Sequence, residues 1–232
     1  MKKIGLIGGL GPEATVDYYK EIHNLFKKEN VNLNYPEIII YSVNMSHFLG
    51  MLEQGKHEEA TSYIVEKINR LKAAGADFAA ITANTPHFLY PEISGTVSLP
   101  MISIVEATRR EAQKLGVKKP VLFGTGFTMN ADFYQKEFSK FNMEIIVPDE
   151  EGRTMINTKL FTEIELGIFK EDTRQELLDL VKKMIHKNGI DGLILGCTEL
   201  PLILKEDSYF DIPVINTTRV HVKEIVDYCK GE

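Results

Sequence analysis

The chain has little cysteine, no long apolar run, no low-complexity tract and no excess of basic charge. Each shortage excludes something. Two cysteines, Cys197 and Cys229, among 232 residues cannot build a disulfide framework or a cysteine-based zinc site. Sparse cysteine fits a reducing cytoplasm, which is the expected location. No uncharged stretch is long enough to span a bilayer, so no membrane partner is expected. The opening run, Met1-Lys2-Lys3-Ile4-Gly5-Leu6-Ile7-Gly8-Gly9, is too short and too quickly met by glycine for a secretion signal. The lack of low-complexity sequence argues against disorder. Lys and Arg number 27 against 33 Asp and Glu, a net charge of -6 without the basic footprint of a nucleic-acid binder. What is present is a 44% hydrophobic composition, enough to build a core in one large domain or two small ones.

The apolar pattern alternates between strand and helix. Residues 4–7 form a short buried-type strand, followed by the glycine turn Gly8-Gly9-Leu10-Gly11-Pro12 and a helix over 14–28. Pro12 in the first turn costs no intrahelical hydrogen bond. An isoleucine-rich strand over 37–43 comes next. Residues 58–74 form an amphipathic helix with Ile64, Ile68 and Leu71 on one face and Gly75 as its stop. A third strand covers 78–82. Strands separated by helix-length segments imply βαβ units, a parallel sheet and right-handed crossovers.

The same order then recurs. Lys119-Pro120-Val121-Leu122-Phe123-Gly124-Thr125-Gly126 resembles the opening strand and turn. The stretch 189–198 resembles 75–84, and 212–215 resembles 99–102. Gly124 follows Gly8 by 116 positions, Cys197 follows Ala83 by 114, and Pro213 follows Pro100 by 113. Three nearly equal offsets in one order argue for a duplicated unit. The expected fold is α/β, with two pseudo-symmetric doubly wound parallel-sheet domains facing across a cleft. Open α/β sheets bind ligands beyond the C-terminal ends of their strands.

Cys197 follows the strand 192–195 and precedes 199–204, which can open a helix. A thiol at a helix N-terminus has a lowered pKa, and the thiolate is the reactive form. The alternative is a small buried hydrophobe, a common fate of free cysteine. Cys229 reads as structural. Thr198 and Glu199 adjoin Cys197, and Asn84 and Thr85 adjoin the equivalent Ala83. Such side chains and loop amides can hold a carboxylate or a developing enolate, or can simply cap helices. Gly8, Gly9 and Gly11 would let the backbone approach a ligand closely. As a dinucleotide fingerprint the turn is poor. Ala14 stands at the third glycine position, and Val43-Asn44 stand where a ribose-binding acid is expected. Alanine is permitted at that third place, so a dinucleotide site stays a minor alternative.

Four segments together resemble the aspartate/glutamate racemase family: Gly8-Gly9-Leu10-Gly11-Pro12-Glu13-Ala14-Thr15, Asn84-Thr85-Pro86-His87, Gly124-Thr125-Gly126-Phe127-Thr128-Met129 and Leu195-Gly196-Cys197-Thr198-Glu199-Leu200. The resemblance runs over essentially the whole chain. It implies a first domain of residues 1–98 plus a returning segment 209–232, and a second domain of 99–208 carrying Cys197. It implies a cofactor-independent amino-acid racemase, with no pyridoxal phosphate and no metal, that is a homodimer. Family enzymes place two cysteines on opposite faces of the substrate α-carbon. One takes the α-proton as thiolate, and the other delivers a proton as thiol. The second of these falls on Cys197. The resemblance further implies that Gly9, Leu10, Asn84, Thr85, Thr125, Thr128, Thr198 and Glu199 bind an amino acid or related carboxylate.

The first catalytic cysteine of the family falls on Ala83, which has no proton to give or take. Three accounts follow. Water or a hydroxyl such as that of Thr85 replaces the missing group, or the protein is a one-base enzyme, or the alanine was introduced to trap a substrate. A one-thiol decarboxylase and a non-catalytic amino-acid-binding protein are the alternatives to a racemase. Cations that family members use for an acidic side chain are also missing. The stretch after the second strand, Val43-Asn44-Met45-Ser46-His47-Phe48, has no Arg or Lys, and Gly126 stands where relatives often carry a basic residue. Their absence points to a neutral or differently anchored substrate side chain. Lys159 and Arg153 remain as spare cations, and His87 and His221 are expected to pack or cap beside the site.

Overall fold

A computed structural model describes residues 1–29 and 33–231. The fold is α/β, with two sheets built mainly of parallel strands. The chain divides into two compact units, Met1–Ile104 with Thr218–Glu232, and Val105–Thr217. These limits differ from 98/99 and 208/209. Residues 212–216 pair within the second sheet, and only the helix after them joins the first unit.

In the first unit the strands are β1 (Ile4–Gly8), β2 (Ile38–Ser42), β3 (Phe78–Ile81) and β4 (Met101–Ile102). Their order is β2-β1-β3-β4, all parallel. In the second unit they are β5 (Pro120–Phe123), β6 (Gly192–Leu195), β7 (Ser208–Tyr209) and β8 (Ile212–Asn216), in the order β5-β6-β8-β7. Only β7 runs antiparallel to its neighbour. Strands β1, β3, β5 and β6 are buried at every residue, as apolar runs covered on both faces should be, whereas β8 is only partly buried although it lies between β6 and β7. The edge strand β2 is half exposed, and Ile40 retains 41% of its surface.

The strand registers carry the internal repeat. Ile4 pairs with Phe78 as Pro120 pairs with Gly192, positions 116 and 114 further along. Ala79 pairs with Met101 as Leu193 pairs with Val214, positions 114 and 113 further along. Thus β1-β3-β4 and β5-β6-β8 are the same three-stranded unit. The second copy also keeps a remnant of β2. Ile146 bridges to Val121 in parallel, accepting from Leu122 N–H at 2.8 Å and donating to Pro120 at 2.9 Å.

The helix Thr217–Lys230 returns to the first unit because its apolar stripe completes that core. Val222, Ile225, Val226 and Cys229 pack with Ile4, Leu6, Tyr18, Ile22 and Phe26. Each such side chain stabilises the fold by roughly 1.5–3 kcal/mol on burial. Cys229 is therefore core, and its thiol donates to Lys2 O at 3.0 Å.

Two buried histidines tie the end of this sheet together. His87 Nε2 accepts from Ile104 N–H at 3.2 Å, so Nδ1 carries the proton and donates to Ala83 O at 2.8 Å. His221 donates from Nε2 to Ile102 O at 3.0 Å and accepts the Tyr18 hydroxyl proton at Nδ1, at 2.8 Å. Burial pulls the His87 imidazole down to about 4, despite its bonds to backbone at Ala83 and Asn84. The unfolded state therefore binds the extra proton first, and stability falls as pH drops from about 6.5 to about 4. The loss attributable to His87 is about 3 kcal/mol. Urea unfolding across that window should show this loss in the wild type and a flatter dependence in His87→Gln. An unchanged slope in the variant would remove His87 as the cause.

Candidate active site

The candidate residues fall into two groups, one in each unit. In the first unit, Gly9 and Leu10 follow β1, and Ala83, Asn84 and Thr85 follow the adjacent β3. In the second, Thr125 and Thr128 follow β5, and Cys197, Thr198 and Glu199 follow the adjacent β6. Each group lies past the C-terminal ends of neighbouring parallel strands, the usual position for ligand contacts in such sheets.

The first glycine turn serves the protein's own packing more than a ligand. Gly9 has φ +81, and a Cβ there would lie 2.5 Å from Val43 O. Its N–H donates to Thr15 Oγ1 at 2.9 Å. Thr15 in turn donates to Gly11 O, and Thr82 donates to Ile7 O, both at 3.2 Å. These buried hydroxyls brace the turn beneath Ala83, which is itself only 7% exposed. Asn44, at the end of β2, caps the helix Met45–Glu53 by accepting from His47 N–H at 3.0 Å. Asn84 precedes the 3₁₀ turn Thr85–Leu89 without capping it through its side chain. Thr85 is half-buried, and its hydroxyl has no hydrogen-bond partner among the described residues.

In the second unit, Thr125 caps the short helix Gly126–Asn130, accepting from Thr128 N–H at 3.2 Å. The two threonine hydroxyls lie 3.1 Å apart. Gly126 N–H donates to Asn157 Oδ1 at 2.6 Å, and a Cβ at Gly126 would lie 3.0 Å from that oxygen. Lys159 is not a spare cation. It sits 3.1 Å from Glu176 and 3.7 Å from Glu163.

Titratable groups gather at Cys197. Gly196 lets the turn after β6 close, since a Cβ there would lie 2.6 Å from Leu122 Cδ1. Cys197 Sγ then lies 3.0 Å from Glu199 Oε2 and 3.9 Å from Glu165 Oε1. Thr198 also donates to Glu199 Oε2, at 2.7 Å. Cys197 and Glu199 are each 7% exposed, whereas Glu165 is an exposed residue on the 3₁₀ turn Ile164–Leu166, whose Ile164 is buried. The three donor atoms lie within 4.8 Å of one another, near enough for one cation to reach all of them.

This geometry corrects the expectation of a thiol activated by a helix N-terminus. Residues after Cys197 form only the three-residue 3₁₀ turn Leu200–Leu202, which offers no helix dipole of consequence. Burial pushes the thiol well above its ordinary range, and the nearby Glu199 and Glu165 carboxylates push it further. The resting group is therefore a protonated thiol. Burial of the Glu165 carboxyl tip, with the Glu199 charge beside it, raises Glu165 to about 7. Glu165 carried no local signal in the sequence, because it lies 32 positions before the thiol it touches.

Known proteins resemble the chain over most of its length. The Asp/Glu/hydantoin racemase family profile matches residues 7–225. The chain is 28% identical over 226 residues to the broad specificity amino-acid racemase RacX of Bacillus subtilis (strain 168), covering 96% of each chain. It superposes on the crystal structure of an aspartate racemase homologue from Pyrococcus horikoshii OT3 with a TM-score of 0.88 and 36% identity, covering 99% of this chain and 100% of that one. It shares the fold of the Picrophilus torridus aspartate racemase, with a TM-score of 0.75 and 21% identity over 98% of this chain and 94% of that one. From its core strands to the turn that carries Cys197, the chain belongs to the Asp/Glu/hydantoin racemase family.

Proposed function

We propose that the protein is a cofactor-independent amino-acid racemase-type enzyme that moves the α-proton of its substrate through one thiol, Cys197. The observation that carries this reading is the 3.0 Å contact between Cys197 Sγ and Glu199 Oε2. A nucleophile or base of high pKa needs an adjacent acceptor for its own proton, and Glu199 is placed to be that acceptor. When the thiol proton passes to Glu199, the thiolate can take the substrate α-proton and leave an enolate-like carbanion. The hydroxyls of Thr85, Thr125, Thr128 and Thr198, with Asn84 and the loop at Leu10, would hold the α-carboxylate and amino group, while the Gly9 amide, already bonded to Thr15, shapes the turn. The thiol then returns its proton to carbon.

Ala83 decides the stereochemical outcome. Its methyl group cannot deliver a proton, so removal and return both occur on the face that Cys197 serves. Return on that face regenerates the starting enantiomer. Inversion needs a proton from water or from a hydroxyl such as that of Thr85. The reading carries with it a cytoplasmic homodimer acting on a small amino acid or related carboxylate.

Two outcomes check this account. Ala83→Cys should raise the rate of enantiomer inversion about 10²–10⁴-fold, the usual contribution of a placed acid or base. Chiral chromatography reads it, and Cys197→Ala should abolish inversion in either background. Full activity without Cys197 would overturn the assignment, and loss of CO₂ from a substituted malonate would replace it with the one-thiol lyase. Separately, Glu199→Gln should speed iodoacetamide labelling of Cys197 at pH 8 at least tenfold, because it removes a charge that disfavours the thiolate. Peptide mass spectrometry distinguishes Cys197 from Cys229. An unchanged labelling rate would show that Glu199 does not control the thiol proton.

A further inference from the structure

The helix Thr217–Lys230 runs against the strands of the first sheet, and its side-chain contacts fix the direction. At its far end the Cys229 thiol donates to Lys2 O, just ahead of β1. The Tyr228 ring there meets Phe78, the first residue of β3, at 4.8 Å. Near its start, His221 donates to Ile102 O, at the last residue of β4. The His221 ring also lies 6.1 Å from that of His87, in the turn after β3. The first turn of the helix therefore lies past the C-terminal ends of β3 and β4. It stands on the side of the loop at Ala83, whose carbonyl accepts from His87.

Thr218 belongs to that first turn. Three positions before His221, it shares that residue's side of the helix, and its Cα–Cβ bond tilts toward the helix N-terminus. It is only 7% exposed, yet among the described residues its hydroxyl has no hydrogen-bond partner. The buried hydroxyls of Thr15 and Thr82, in the same unit, are bonded to backbone. A buried polar group without a partner is costly, and native proteins keep few of them. The 14-residue helix brings the positive end of its dipole to the same place, with no acidic residue in the first turn to offset it. An anion that accepts from Thr218 would satisfy the hydroxyl and the dipole together.

We propose that the first turn of this helix is a carboxylate subsite, in which the Thr218 hydroxyl donates to the α-carboxylate of an amino acid. This rests on the reading of the protein as an amino-acid enzyme. The hydroxyl is buried, so a carboxylate bound there gives up its water, and the hydroxyl and the helix end replace it. Entry opens this end of the unit, and the bound ligand seals it. The α-carboxylate is common to all amino acids, so the subsite recognises the class and leaves the side chain to other groups. It refuses an α-amide, which lacks the charge.

The test compares the wild type with Thr218→Val, which removes the hydroxyl but keeps the shape, and Thr218→Ser, which keeps the hydroxyl. Urea unfolding of each full chain is followed alone, with alanine, methionine or glutamate in both enantiomers, and with their α-amides, beside an assay of α-proton exchange. Without ligand, Thr218→Val should unfold at a higher urea concentration than the wild type, because it relieves an unpaired polar group. At least one amino acid should raise the wild-type midpoint, and its α-amide should not. Thr218→Val should need about tenfold more of that amino acid, or beyond, for the same rise, as loss of a hydrogen bond to a charged group requires. Thr218→Ser should match the wild type. A Thr218→Val variant that is less stable without ligand would show a structural role and overturn the inference. So would a rise that Thr218→Val leaves intact, an α-amide as effective as its acid, or no rise with any of the amino acids. Thr218-dependent binding without exchange of the α-proton would leave this inference standing and remove the racemase reading. Exchange with a KM that Thr218→Val does not change would do the reverse.

Discussion

The contact between the Cys197 thiol and the Glu199 carboxylate is the interaction on which the rest of the site depends. At 3.0 Å it is a hydrogen bond that holds the proton on sulfur, and burial strengthens that hold. A thiol so placed is a resting acid. It becomes a base only when its proton moves to the neighbouring carboxylate, or when a positive charge enters and offsets the local field. On the proposed reading, the surroundings that disfavour the free thiolate would link its formation to the arrival of a substrate that carries an ammonium group.

The fold supplies this contact with little irregular structure. A buried central strand, β6, ends at Gly196, and the tight turn there brings Cys197 and Glu199 onto one short loop. The repeated unit places Ala83 at the matching end of β3, held through its carbonyl by His87. One copy of the unit therefore presents a thiol with a proton acceptor. The other presents a methyl group on a braced loop. On the proposed reading, that difference favours proton exchange through one thiol over two-base racemisation.

Much of the architecture was legible in the sequence, because duplication leaves spacing behind. The offsets of 116, 114 and 113 positions are the same offsets that the strand registers show. Apolar runs identified the buried strands, and Ile64, Ile68 and Leu71 identified the inner face of the helix His57–Ala73. The electrostatics of Cys197 were not legible. Residues 199–204 suggested a helix that would lower the thiol pKa, but the chain makes one 3₁₀ turn and then proceeds to β7. Adjacency of Cys197 and Glu199 in sequence does not reveal that the carboxylate folds back onto the sulfur. Glu165 was invisible for a related reason, since a contact across 32 positions depends on two loops that no local pattern links. The glycines at 8 and 9 suggested room for a ligand, whereas the space beside them is filled by Thr15 and the Val43 backbone.

The central claim is that one thiol exchanges the α-proton on one face. Proton NMR in heavy water tests it most directly, following the α-proton of each enantiomer of an amino acid the protein binds, with chiral analysis of the same samples. The account predicts that the wild type washes out the α-proton of one enantiomer much faster than it inverts that enantiomer, and that Cys197→Ala does neither. Wash-out and inversion at equal rates would reveal a second acid on the Ala83 face. No wash-out with any bound amino acid would contradict the account outright.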